Sequence, residues 1–146
     1  MEIEIRENDH HETLLFTQMI GQAGVAFEMA DRVPNVSGKA FDLYTWYRAW
    51  SKATTAPTHM HVEASDQFQA TVPWEELGQA AFLFEQNNAP LVKGYPLRLY
   101  VPDGSSACLN VKSVIRIQFL HEPDSSQPAD FGFKNHVSVN ELSKKQ

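Results

Sequence analysis

The sequence holds one cysteine, Cys108, in 146 residues. That excludes an internal disulfide and a cysteine-rich zinc site, and a single thiol fits a reducing compartment. There is no apolar run of roughly 18 residues, the length a membrane-spanning helix needs. The start, "MEIEIRENDHHE", is acidic and polar, with none of the basic and apolar blocks of a secretory leader. These absences predict a cytoplasmic chain with no membrane partner. Basic charge is also scarce. The 12 Lys and Arg stand against 18 Asp and Glu, a formal charge of -6, which argues against nucleic acid as a partner because backbone phosphates demand net basic surface. No phosphate-cradling glycine loop of Rossmann or Walker type occurs, and no internal repeat or low-complexity tract is found.

What the chain does have is material for a core. It is 42% hydrophobic with nine Phe, three Trp and four Tyr, enough for an ordinary globular protein of one domain over residues 1–146. The pattern is α+β, with several strands and few helices out of strict alternation. "MEIEIRE" reads as a short strand, while residues 13–30 are apolar without a clean period and stay unassigned. In "SGKAFDLYTWYRAWSKA", Leu43, Trp46, Tyr47 and Trp50 fall at helical spacing. Asp42 lies near the start and Arg48 near the end, as a helix dipole favours. "THMHVEA", "FQATVP" and "AAFLFEQ" read as strands, "WEELGQ" as a helical turn and "NNAP" as a tight turn. In "GYPLRLYVP", Leu97, Leu99 and Val101 alternate with Arg98 and Tyr100. "DGSSACLN" reads as a loop. "VKSVIRIQFL" reads as a strand in which Ser113, Ile115, Ile117 and Phe119 share a face opposite Lys112, Val114, Arg116 and Gln118. Residues 122–146 are weakly patterned, with "EPDSSQPAD" a linker by composition.

Candidate chemistry concentrates in one place. From Lys93 to Arg116 the basic residues are Lys93, Arg98, Lys112 and Arg116, and Asp103 is the only acidic one, a local reversal of the overall charge. If the strands bearing Arg98 and Lys112 are neighbours, both cations project on one face, and the "DGSS" loop adds hydroxyl and backbone donors. An arginine fork with a lysine point charge suits an anionic ligand, whereas the plainer reading is a pair of solvated cations on surface strands. "HMHVE" would put His59, His61 and Glu63 on one strand face, a set that can bind a divalent metal. Ser65 stands where a further carboxylate ligand would fall, so satisfied or surface histidines are the alternative. Cys108 reads either as a nucleophile or as a small half-buried hydrophobe. The face of Trp46, Tyr47 and Trp50 reads as core or as a stacking platform.

The order "DQFQATVPWEEL", "FLFEQNNAPL", "GYPLRLYVP" and "VKSVIRI" resembles four segments of the sulfite oxidase family molybdopterin-binding domain. "VSGKAFDLYTWYRAW" is similar to a helix that precedes them in that family, so the resemblance spans roughly residues 36–120. It implies an α+β fold with a mixed, barrel-like β core and few helices. It also implies molybdopterin as cofactor, a pterin whose ene-dithiolate holds molybdenum. The family's "PLRL" arginine and "SVK" lysine, which help bind the pterin phosphate, fall on Arg98 and Lys112. Ser105, Ser106 and Asn110 are further cofactor-binding candidates from the loop between them.

This chain also departs from the family pattern. The family's molybdenum-ligating cysteine would fall near "MIGQAGVAFEM", where there is none, and Cys108 lies downstream of Arg98. The glycine of the family's "DGY" is Gln67 here, and its "NG" turn is Asn87-Asn88. The resemblance with these departures implies a degenerate member without a protein metal ligand or assigned catalytic residue. Its role would be to bind an anionic small molecule or to handle the cofactor. An atypical molybdenum oxidoreductase performing oxygen-atom or electron transfer is one alternative. A cofactor-free scaffold, acting as a homo-oligomer or with a protein partner, is another.

Overall fold

The computed structural model describes residues 1–103, 109–123 and 126–133. Its elements in chain order are β1 (Glu2–Glu7), β2 (His10–Leu15), α1 (Phe16–Ala23), β3 (Phe27–Glu28), β4 (Lys39–Asp42), α2 (Leu43–Trp50), β5 (His59–Ala64) and β6 (Phe68–Pro73). There follow β7 (Ala81–Gln86), β8 (Ala89–Pro90), β9 (Arg98–Val101), β10 (Leu109–Val111), β11 (Val114–Leu120) and β12 (Asp130–Phe133). One sheet runs β12-β6-β5-β11-β1-β2, the other β10-β9-β7-β4-β3 with β8 beside β7. The first sheet is mixed, because β1 lies parallel to β11 and the remaining pairs are antiparallel. Among the described residues neither sheet closes on itself, so the expected α+β architecture with its mixed β core is built of open sheets. Among the described residues no helix is long and apolar enough to cross a membrane.

The main core gathers inward residues of both sheets and both helices: Ile3, Ile5, Met60, Val62, Ile117 and Phe119 from the first sheet, Phe41, Phe82, Leu99 and Val101 from the second. A smaller cluster around Met29, Leu83 and Tyr100 covers the other face of the second sheet. Alternation along β9 therefore sends Leu99 and Val101 into one cluster and Tyr100 into the other, as period-two geometry requires. The aromatic face of α2 is core, with Leu43, Trp46, Tyr47 and Trp50 all buried.

The helix is shorter than its periodicity predicts, because residues 39–42 form β4 against β7. Asp42 makes the break. Its Oδ2 accepts from the Thr45 backbone N at 2.8 Å and from Thr45 Oγ1 at 2.9 Å, an N-cap that satisfies otherwise orphan donors. Its Oδ1 accepts from Arg32 Nη1 at 2.8 Å. Burial pushes this carboxyl up, but the Thr45 and Arg32 hydrogen bonds and the Arg32 charge outweigh it and hold the group below its ordinary value. A carboxylate depressed in the folded state contributes stability that is fully present above its unfolded pKa and lost as pH falls through the folded one. Asp42→Ala is therefore expected to cost about 1–2 kcal/mol at neutral pH. The gap to wild type should narrow below the ordinary carboxylate range, as read by urea unfolding at several pH values. A gap that does not change with pH would refute this account of the cap.

Three further departures from the sequence reading have local causes. A bulge between Val114 and Arg116 shifts the register of β11 against β5, so Val114 joins Ile117 and Phe119 in the core while Ile115 is only half-buried. Lys112 and Ser113 precede that strand in a turn, with Ser113 at φ 56°. β12 emerges from the segment read as weakly patterned, pairing Phe131 with Ala70 and Phe133 with Phe68. The unassigned residues 13–30 hold the end of β2, then α1 and β3.

Candidate functional site

The strands that carry Arg98 and "VIRI" are not neighbours, because β9 belongs to the second sheet and β11 to the first. Arg98 and Lys112 meet by another route. Antiparallel pairing of β9 with β10 sets Val111 opposite Leu99, and the next residue, Lys112, leaves β10 beside Arg98. Gly94, at φ +89°, lies beneath both side chains. A Cβ placed there would lie 3.4 Å from Arg98 Cδ and 3.7 Å from Lys112 Cβ. The Ser113 N–H donates to the Gly94 carbonyl at 3.1 Å and the Val114 N–H to the Leu97 carbonyl at 2.9 Å, which pins the turn against this loop. The preceding Tyr95–Pro96 peptide is cis.

Asn110 completes the group. Its Oδ1 accepts from Arg98 Nε at 3.3 Å and from Nη2 at 3.2 Å, and the guanidinium lies 5.3 Å from the Tyr100 ring centroid. Most arginines here face carboxylates: Arg6 faces Glu4, Arg32 faces Asp42, and Arg116 faces both Glu4 and Glu63. Arg98 and Lys112 have no ion-pair partner among the described residues. An amide oxygen orients a guanidinium without neutralising it, so two cations with no ion-pair partner among the described residues share one patch. Ser105, Ser106 and Cys108 lie outside the described residues.

Beside this patch is a small cleft of about 150 Å³, lined by Asp66, Phe68, Asn110, Lys112 and Phe133. The turn that carries Asp66 is held to the cation-bearing turn, because the Ser65 N–H donates to the Ser113 carbonyl at 3.0 Å. Sequence reasoning missed Asp66, Phe68 and Phe133. The missing signal was the pairing of β12 with β6, a non-local contact that no local pattern announces.

The histidine set does not assemble into one site. His59 is buried, with Nδ1 2.9 Å from Thr58 Oγ1 and Nε2 2.9 Å from the Gln127 carbonyl. His61 Nδ1 lies 2.7 Å from Thr71 Oγ1, and Glu63 is bound by Arg116. No group of three metal-ligating side chains occurs among the described residues.

A second, larger cleft of about 460 Å³ is lined by Glu7, Asn8, Asp9, His10, His11, Lys52 and Ala53. Glu7 is only 2% exposed, and its carboxylate accepts from Tyr47 Oη, Ser51 Oγ and His121 Nε2. Burial first, and then the Glu7 hydrogen bond and charge, push the Tyr47 hydroxyl well above its ordinary value. His10 stacks on Trp50 with ring centroids 4.2 Å apart. No local pattern announces this cluster, whose members come from β1, β2, α2 and the residues that follow α2 and β11.

The family described as the oxidoreductase molybdopterin binding domain matches residues 47–128, more than half of the chain. The chain belongs to this family, the sulfite oxidase-family molybdopterin-binding domain. No curated protein and no solved structure matches it. The match begins inside α2 and covers β5 to β11 of this molybdopterin-binding domain, so Gly94, Arg98, Asn110 and Lys112 all lie within it. The edge strand β12 and the Glu7 end of β1 lie outside.

Proposed function

We propose that this member of the family binds molybdopterin by its phosphate end, with Arg98 and Lys112 as the anion clamp and Asn110 orienting the guanidinium. The supporting observation is the pair of cations without carboxylate partners among the described residues, side by side over Gly94. The donors suit the group: a planar fork and a point charge together meet a phosphate at several oxygens. When bound, molybdopterin supplies an ene-dithiolate that holds molybdenum for two-electron chemistry. The chain's own residues bind and orient the anionic end. The only cysteine, Cys108, follows Arg98 in the sequence, which supports a degenerate, cofactor-handling role in place of oxygen-atom transfer with a protein thiolate on the metal.

The test is protein made in a cofactor-competent host, with released pterin measured by fluorescence after oxidation and molybdenum and tungsten by elemental analysis. Near-stoichiometric pterin is expected in the wild type. In Arg98→Ala it should fall about tenfold or more, the order that a charge-assisted contact to phosphate contributes. Pterin without metal would support the handling role, and stoichiometric molybdenum would overturn it in favour of an enzyme. Absence of pterin from the wild type, or pterin undiminished from the wild-type level in both Arg98→Ala and Lys112→Ala, would overturn the clamp.

A further inference from the structure

The first sheet ends in two strands with one neighbour each, β2 and β12. An end strand leaves a row of backbone donors and acceptors without a strand partner, and proteins blunt such edges with charged side chains, proline or a bulge. β2 is blunted in this way, with His10, His11 and Glu12 along it. β12 is not. It carries a single charge, Asp130, at its start. Phe131 and Phe133 on it are 57% and 53% exposed, the only exposed Phe, Tyr or Trp side chains among the described residues.

Pairing with β6 fixes where these rings point. Phe131 stands opposite Ala70 and Phe133 opposite Phe68, so both lie on the core side of the sheet. They meet the Phe68 ring, with centroids 6.4 and 5.2 Å away, and still show more than half of their surface to water. Between them, Gly132 faces the other side. A Cβ there would meet nothing within 4 Å, and its φ lies outside the left-handed region, so the fold of one chain has no use for a glycine here. Glycine weakens a strand interior and often marks the close approach of another backbone.

Phe-Gly-Phe reads the same in both directions about Gly132, as a two-fold contact between identical strands requires. On an axis through Gly132, antiparallel pairing sets Gly132 against Gly132 of the second copy and each Phe131 against a Phe133. Directly opposed residues of antiparallel strands share a face, so the four phenyl rings form two cross-strand aromatic pairs. Charge does not oppose the contact. Asp66 and Asp130 on this side are matched in number by Lys112 and Arg98, so the patch lacks the net charge of -6 that the whole chain carries. We propose that β12 pairs with β12 of a second copy about Gly132, so that the first sheets of two chains run on as one. None of this depends on the phosphate clamp.

Strands this short make a contact below the roughly 1,200 Å² of stable pairs, so a dissociation constant on the order of 10–100 μM is expected. Sedimentation velocity of the full chain between about 1 μM and 1 mM reads it. Phe131→Ser combined with Phe133→Ser should weaken the dimer about tenfold or more, and Leu15→Ser on the other edge should leave it unchanged. Register is read by cross-linking in a Cys108→Ser background. Opposed Cα atoms about 4.5–5.5 Å apart lie within reach of a disulfide, so Gly132→Cys should oxidise to a covalent dimer. Phe131→Cys should do so only when mixed with Phe133→Cys. If the double serine variant fails to fold, as read by circular dichroism, the cysteine variants decide. A wild-type chain that stays monomeric at about 1 mM, a dimer that survives loss of both rings, or one that Leu15→Ser weakens overturns the proposal. Faster cross-linking through Phe131→Cys alone than through Gly132→Cys overturns the Gly132 axis. A stoichiometric foreign protein whose retention needs both rings overturns the second copy as occupant.

Discussion

Replacing Trp46 with Ala is expected to lower the unfolding free energy by about 3–5 kcal/mol, the range for truncating a large aromatic in a packed core. Trp46 is fully buried, and its ring meets Trp50 at 5.8 Å, Phe119 of the first sheet at 6.0 Å and Phe82 of the second at 6.5 Å between centroids. Its Nε1 donates to Gln22 Oε1 at 2.9 Å and so also ties α2 to α1. One side chain thus touches both sheets and the other helix. Its loss opens a cavity that the rigid sheet surfaces on two sides cannot fill, which places the cost high in the range. Trp46→Phe keeps most of the apolar volume and loses the Gln22 bond, so a smaller cost is expected. Urea unfolding by circular dichroism gives both values, and a cost below about 1.5 kcal/mol for the alanine variant would show that the two sheets close without this ring.

Glu7→Ala is the second large effect, expected near 3 kcal/mol. Three donors converge on this carboxylate from α2, from the residue after it and from the residue after β11. Truncation strands all of them, and leaving a buried hydrogen-bond donor unsatisfied costs about 1–3 kcal/mol for each. The low end applies because the His121 side chain is 21% exposed and the adjoining cleft admits water. The same lock weakens in alkali. The Tyr47 hydroxyl is raised in the folded state, so its contribution is complete below the ordinary tyrosine value of 10 and is lost as pH climbs above it. Wild type should therefore lose stability above that pH more steeply than Tyr47→Phe. An alanine variant at Glu7 within about 1 kcal/mol of wild type would mean that water replaces the carboxylate without loss.

Local signals served well where one element decides its own conformation. The alternation of Leu97, Leu99 and Val101 and the helical spacing of Leu43, Trp46, Tyr47 and Trp50 both marked side chains that are buried, although Tyr100 on the opposite face of β9 is buried as well. "NNAP" turns as read, with Asn87 and Asn88 at φ 55° and 61°, the left-handed pair a tight hairpin needs. The ordered motifs of residues 36–120 identified the family that residues 47–128 match. What the sequence hid is non-local. Whether Val114 or Ile115 faces the core depends on a bulge set by β5. Lys39 to Asp42 precede a helix directly and were absorbed into its period, although β7 claims them as a strand. For the candidate site, Arg98, Lys112 and Asn110 were legible as residues. Their meeting place over Gly94 was not, because it depends on β10 turning out of one sheet into the other.

The parallel pairing of β1 with β11, Glu4 opposite Arg116, has a consequence for the order of events on the ribosome. At roughly 5–20 residues per second, β1 emerges on the order of ten seconds before the strand it must lie against. Until then its one strand partner among the described residues is β2, and a lone two-stranded hairpin is at best marginally stable in water. Ile3 and Ile5, fully buried in the finished protein, gain the neighbouring strand β11 only at the end of that interval. The β1–β2 hairpin is thus a segment whose place in the finished sheet is settled late in synthesis, when β11 leaves the exit tunnel.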